Sequence, residues 1–244
     1  MTQDIIAQQD GPVLRITLNR PEQGNGISDE MARELTRLLG SAAETSHLVV
    51  LRGAGADFCT GRAAPPPGAA PRPMEGLETR RYFDVIFDLY AAFRKAPVPI
   101  VGVVQGKALG AGCAIAALCD ITIASEAARF QVPEMAHNIL PTMVASSFVD
   151  RVPLKALTYL IYSTAVITPE RALSFGIVSE IVPPEALDDA VAKLCAAMLK
   201  APLPALLAVK EYARSAPKMD VQGAVDFARN LHAIVNSSSE MRKK

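Results

Sequence analysis

The segment IVGVVQGKALGAGCAIAALCDITIA, residues 100–124, decides how this chain is read. It opens on a short apolar run, Ile100 to Gln105, with the length and composition of a buried strand. Gly106 closes that run. From Gly110 to about Leu118 the residues are small and apolar, which predicts a tightly packed helix. Asp120 interrupts the pattern, and Ile121 to Ala124 reads as another strand. Strand, helix, strand within twenty-five residues points to an α/β architecture. The wider stretch Ala96 to Ala124 is apolar but broken by Pro97, Pro99, Gln105, Lys107 and Asp120. A membrane span needs about 20 mostly apolar residues, so no membrane crossing is expected.

The same theme recurs upstream. Val13 to Leu18 is β-rich and ends at Asn19-Arg20-Pro21. Ser28 can cap a helix whose first turn holds Asp29 and Glu30, where negative charge suits the helix dipole. Met31, Leu35, Leu38 and Leu39 then share one face, and Gly40 is expected to stop the helix. Leu48 to Leu51 is a short strand closed by Arg52-Gly53. A longer helix is predicted over Glu78 to Lys95, with Phe83, Ile86, Phe87, Tyr90 and Phe93 on one side. Between them, Ala63 to Gly76 holds five prolines and predicts an irregular loop. Downstream, Thr168 caps a helix with Pro169 at its first position, and Gly176 follows its end. Ile177 to Val182 reads as a strand. Helices are expected over Glu185 to Lys200, Leu203 to Arg214 and Val221 to Val235.

Composition narrows the functional classes. The 244 residues carry 25 Lys+Arg and 25 Asp+Glu, a net charge of zero. A surface for nucleic acid or anionic membrane needs a basic excess, so neither partner is expected. Half the residues are hydrophobic, enough for a sizeable core. Cys59, Cys113, Cys119 and Cys195 form no CxxC pair and lie far from metal-type histidine spacing, so no metal site and a reducing, cytoplasmic location are expected. The polar start, Met1 to Asp10, lacks a basic region followed by an apolar run, and no secretory leader is expected.

The phosphate-gripping motifs fail on spacing. Gly106, Gly110 and Gly112 do not form GxGxxG, Lys107 lacks the rest of a phosphate loop, and no GxSxG elbow occurs. Two glycine-containing turns remain, Phe58 to Ala63 and Ala108 to Cys113. Glycine turns and helix N-termini expose backbone N–H groups. Two converging donors would make an oxyanion hole; two ordinary turns would not. Local pattern leaves both readings open.

Longer matches carry more weight. The runs PVPIVGVVQGKALGAGC (97–113), LCDITIAS (118–125) and ARFQVPE (128–134) resemble the crotonase, or enoyl-CoA hydratase/isomerase, superfamily. ITLNRPE (16–22) with Asn25-Gly26-Ile27, DFCTG (57–61) and ALSFGIVSEIVP (172–183) keep the same order and spacing. The resemblance implies an α/β spiral of ββα units over residues 1–185 and a C-terminal helical oligomerisation region over 186–244. It implies a homotrimer or homohexamer. A CoA thioester would be the substrate, with no separate cofactor. By motif position, the backbone N–H groups of Arg62 and Ala111 would form the oxyanion hole. Asn25, Gly26, Ile27, Phe58, Thr60, Gly61 and Gly110 would flank the ligand. Ala at 111, where the family has Gly, requires a negative φ.

The family's two-acid hydratases place one glutamate on the helix after the second glycine turn and another in a later Pro-Glu pair. Here the later acid is Glu134, after Pro133, and the earlier position is Ala114. Hydration of a 2-enoyl thioester works best with two carboxylates, whereas moving a double bond needs one proton shuttle. Double-bond isomerisation is therefore the favoured reaction, ahead of hydration and of a weakly active CoA-ester-binding protein. His137, three residues past Glu134, could orient it or act as a second acid/base; a partly buried polar role is the plainer expectation. Cys113 and Cys119 read as inert core thiols, and Asp120 as a partner for backbone donors. Arg80 and Arg81 fit either CoA phosphates or a solvated face. The apolar face Leu187, Val191, Leu194 and Met198 is expected to seek another subunit.

Overall fold

The apolar runs of the sequence become strands buried on both faces of one sheet. A computed structural model describes residues 4–64 and 74–242. Its strands are β1 Ile5–Asp10, β2 Val13–Leu18, β3 Leu48–Gly53, β4 Ile100–Val104, β5 Lys107–Leu109, β6 Ile121–Ser125, β7 Arg129–Gln131 and β8 Glu180–Val182. The main sheet runs β1-β2-β3-β4-β6-β8, antiparallel only between β1 and β2. Alternate residues serve two cores, as a period of two requires. Val49, Leu51, Ile100 and Val104 face one side, and Leu48, Val50, Val101 and Val103 face the other.

The helices are α1 Asp29–Ser41, α2 Gly76–Lys95, α3 Ala111–Leu118, α4 Thr142–Phe148, α5 Leu154–Ser163, α6 Pro169–Ser174, α7 Leu187–Met198, α8 Leu203–Ser215 and α9 Val221–Ser237. Ser28 caps α1 by accepting a hydrogen bond from the Met31 N–H at 3.2 Å. Gly40 does not end it: α1 continues to Ser41, because an exposed glycine near a helix end weakens the helix without breaking it. Helices α1, α2 and α3 fill the larger core. On α2 the buried set is Ile86, Leu89, Tyr90 and Phe93, and Phe87, expected inside, is exposed.

The opposite sheet face is covered by α7. Leu187, Val191 and Cys195 are buried there, with Leu194 and Met198 packed beside them. The face expected to seek another subunit is thus spent on the chain's own sheet. Helix α8 is fastened by Lys210, whose ammonium donates to Asp120 and, at 3.4 Å, to the Phe93 carbonyl. Asp120 also accepts the Ile100 N–H at 2.8 Å, the backbone-satisfying role its position suggested. Helix α9 has no buried residue.

A second, smaller ladder crosses the inner ends of these units. β5 pairs with β7 in parallel, and single bridges Ile27–Arg62, Cys59–Ala108 and Phe130–Ile167 extend it on both sides. Each unit therefore supplies one strand to the large sheet and one rung to the small ladder. The Pro-rich segment falls largely on residues 65–73, outside the described residues.

Candidate active site

The ladder brings the two glycine turns together. Phe58 and Cys59 both donate backbone hydrogen bonds to the Lys107 carbonyl at 3.0 Å, and Leu109 donates to Cys59 at 2.9 Å. Gly112, in the first turn of α3, lies so close that an added Cβ would sit 2.0 Å from the Cys59 carbonyl oxygen. Only a glycine allows the N-terminus of α3 to press against the 58–62 turn. Gln105 adds hydrogen bonds to the carbonyls of Gly53 and Asp57, both at 2.9 Å.

The proposed donors sit where the two turns meet. Ile27 N–H donates to the Gly61 carbonyl and Ala63 N–H to the Ile27 carbonyl, both at 2.9 Å. In a parallel bridge of this pattern the intervening residue, Arg62, turns its own N–H away from Ile27. Ala111 is the first residue of α3, whose N–H has no partner within the helix. Ala111 is not among the described residues with positive φ, so its side chain is tolerated there. The demanding conformation falls one residue earlier, at Gly110, with φ 50° and ψ −115°. Neither Arg62 nor Ala111 donates to a backbone carbonyl of a described residue.

Glu134 closes the site. It begins a 3-10 turn, Glu134–His137, directly after β7. Its carboxylate lies against Gly110, so that a Cβ there would be 2.6 Å from Oε1. The other oxygen, Oε2, is buried without a hydrogen-bond partner among the described residues. Burial raises the Glu134 pKa above its ordinary 4.5, while its own backbone N–H and the nearby His137 charge pull it down. A half-buried carboxylate with a raised pKa is suited to taking and returning protons. Ala114 is fully buried and presents only a methyl group.

The remaining predicted residues divide. His137 eclipses Glu134 in the 3-10 turn but is exposed, not partly buried, and no hydrogen bond joins the two among the described residues. Asn25 is wholly buried and spends its side chain on backbone: it accepts from Arg20 and donates to Ala54 and Asp57, each at 2.8 Å. Those three bonds shape the turn. Phe58 and Ile27 also point their side chains into the core. Thr60 binds the Gly24 carbonyl through its hydroxyl at 3.0 Å, which locks the turn beside Gly61. Gly26 lies against Ala63, with 3.2 Å left for a Cβ. The Arg62 guanidinium pairs with Asp29 at the start of α1.

Burial pushes the thiols of Cys59, Cys113 and Cys119 up to about 12, so they are inert as nucleophiles at neutral pH. A groove of about 520 Å³ runs between α1 and α2 past Asp29, Arg33, Arg81 and Tyr82. Glu134 does not line it. Among the described residues no three His, Cys, Asp or Glu side chains gather as a metal site would require. Helical period marks Tyr90, on the apolar face of α2, as buried but carries no sign that its hydroxyl has no hydrogen-bond partner among the described residues.

Among the described residues, the Arg62 N–H in the 58–62 turn and the Ala111 N–H at the N-terminus of α3 have no backbone acceptor, and such donors with the Glu134 carboxylate against Gly110 can hold a carbonyl and move a proton next to it. Residues 8–244 match the family model described as enoyl-CoA hydratase/isomerase. A 1,2-epoxyphenylacetyl-CoA isomerase of Escherichia coli (strain K12) is 28% identical over 251 residues, covering 100% of this chain and 94% of the relative. A short-chain-enoyl-CoA hydratase of Clostridium acetobutylicum is 30% identical, covering 75% of this chain and 70% of the relative. A protein from Thermobifida fusca YX, solved in complex with CoA, is 27% identical with a TM-score of 0.84, over 95% of this chain and 92% of that one. The chain belongs to the enoyl-CoA hydratase/isomerase, or crotonase, family, and is an enzyme of that family with its α/β fold and C-terminal helices.

Proposed function

We propose that this enzyme moves a carbon–carbon double bond within an acyl-CoA thioester. The thioester carbonyl takes hydrogen bonds from the Arg62 and Ala111 N–H groups. Glu134 removes a proton from one carbon, the electrons shift onto the carbonyl oxygen as an enolate, and Glu134 returns the proton two carbons away. Each oxyanion donor is worth about 3–4 kcal/mol of barrier in comparable sites. The carrying observation is the pairing of Glu134, set against Gly110, with a methyl at Ala114. One carboxylate serves a proton shuttle; water addition lacks its second acid. Both an isomerase and hydratases occur among the relatives, so hydration is the rival reaction.

The same reading includes assembly as a trimer or a pair of trimers. Leu140, Val149, Leu154 and Tyr162 are each at least 73% exposed, and α9 buries nothing within its own subunit. Such surface is costly to leave in water. The four buried, unpaired thiols suit a reducing cytoplasm.

Glu134→Gln tests the reaction. The amide keeps size and polarity but accepts no proton, so turnover of a 3-enoyl-CoA should fall at least about a hundredfold with CoA-ester binding nearly intact. Wild-type turnover by this variant refutes the mechanism. Binding of esters by the wild-type protein, without turnover across a chain-length panel, identifies a binding protein instead.

A further inference from the structure

Among the described residues four buried side-chain polar atoms have no hydrogen-bond partner, and two of them bear on the proposed site. One is Oε2 of Glu134; the other is the hydroxyl of Tyr90, a residue 2% exposed on the inward face of α2. The charged and titratable groups that act on that hydroxyl are Cys59, Glu134, Arg62 and Cys113. These four belong to the 58–62 turn, the foot of α3 and the Glu134 turn, and Tyr90 packs in one buried cluster with Phe58, Cys59, Cys113 and Ala114, which sets the phenol beside the junction of the proposed site. None of them answers it: the thiols stay protonated, the guanidinium only donates, and Glu134 Oε2 is itself unpaired.

A folded protein rarely leaves a buried hydroxyl unsatisfied, and such exceptions mark a role outside folding. Burial first, and the Glu134 charge among the lesser causes, raises the tyrosine's pKa, so the group remains a hydrogen-bond donor throughout the working range. The thioester carbonyl is already provided for by two main-chain N–H groups. An oxygen further along the acyl group is not.

We propose that Tyr90 is a specificity-determining residue, its hydroxyl donating a hydrogen bond to an oxygen on the acyl portion of a CoA thioester. This rests on the acyl-CoA reading above and names its substrate class: acyl groups bearing a keto, hydroxy or ether oxygen near the thioester. A hydrocarbon acyl group would seal the hydroxyl away with nothing to bond, and a site built this way discriminates against the ligand that lacks the acceptor.

The test uses acetoacetyl-CoA and butyryl-CoA, alike in length and different in one oxygen, with binding measured by calorimetry on the full chain. Wild type should prefer acetoacetyl-CoA. Tyr90→Phe should weaken that ester about tenfold, about 1.4 kcal/mol, and change butyryl-CoA less than about twofold. The variant should melt at the wild-type temperature or above, because the substitution removes an unsatisfied group. Equal loss on both esters, no loss on acetoacetyl-CoA, or a lowered melting temperature overturns the assignment of Tyr90 alone. A wild-type protein that binds neither ester overturns the acyl-CoA reading and this inference with it.

Discussion

Replacing Gly110 by Ala should separate catalysis from folding. The new Cβ would sit 2.6 Å from Glu134 Oε1, whereas ordinary contact begins at 3.4 Å. The obstacle is the free end of a flexible side chain, so it can yield by turning away. The carboxylate must then retreat by roughly an ångström, a displacement that typically costs about a hundredfold in rate. Folding suffers separately, from φ 50° and ψ −115° at a residue that now carries a side chain. That strain costs about 1–3 kcal/mol. Gly112→Ala is the contrasting case: its Cβ would meet the Cys59 carbonyl at 2.0 Å, and backbone cannot swing aside. Urea unfolding and turnover on a 3-enoyl-CoA should therefore show Gly110→Ala folded and slow, and Gly112→Ala poorly folded. A folded Gly110→Ala enzyme turning over within about threefold of wild type would refute the placement of Glu134 as the working base.

Because burial raises Glu134 above 4.5, the folded state holds its proton more tightly than the unfolded chain. Wild type should lose stability relative to Glu134→Gln as pH rises from below 4.5 through the folded pKa, and the two should converge in acid; denaturant titrations across pH check the sign. Ala114→Glu should raise hydration of a 2-enoyl-CoA relative to isomerisation of its 3-enoyl partner, at a folding cost of about 1–3 kcal/mol for overpacking a fully buried site. Rapid hydration by wild type without isomerisation contradicts the single-base reaction. Lys210→Met should destabilise the fold by about 3 kcal/mol by leaving Asp120 without its cation, read as a lowered urea midpoint. Light scattering should give a trimer or hexamer, and a 26.0 kDa species at micromolar concentration contradicts that expectation.

Much of this was legible in the residues. Ser28 with Asp29 and Glu30 marked the start of α1, and the apolar runs marked β2, β3 and β4. The motif spacing pointed to Arg62, Ala111 and Glu134, which the fold gathers at one junction. What period and composition could not supply was partnership. β5 and β7 are three-residue rungs that exist only because distant segments align them. β1 reads as polar because its residues are mostly exposed on a sheet edge. The apolar face of α7 declared itself buried without saying against what, and its partner is the chain's own sheet. Phe87 and Tyr90 occupy one predicted stripe, yet one faces solvent and the other is buried. The turn of a helix distinguishes inside from outside more coarsely than that.

The small ladder has a consequence for inheritance. Its rungs, at Ile27, Arg62, Cys59, Ala108, Phe130 and Ile167, are joined by main-chain hydrogen bonds, and both proposed oxyanion donors are main-chain atoms carried on or beside it. Side chains can be exchanged around such a frame without removing the donors. The connections between rungs can lengthen or shorten while the rungs keep their register. A lineage built this way can trade substrates by rewriting loops and the inward face of α2, and retain its means of steadying an enolate. At 28% identity to a full-length relative, most of the text has changed. The donors proposed to steady the enolate are written in the backbone, where substitution leaves few marks.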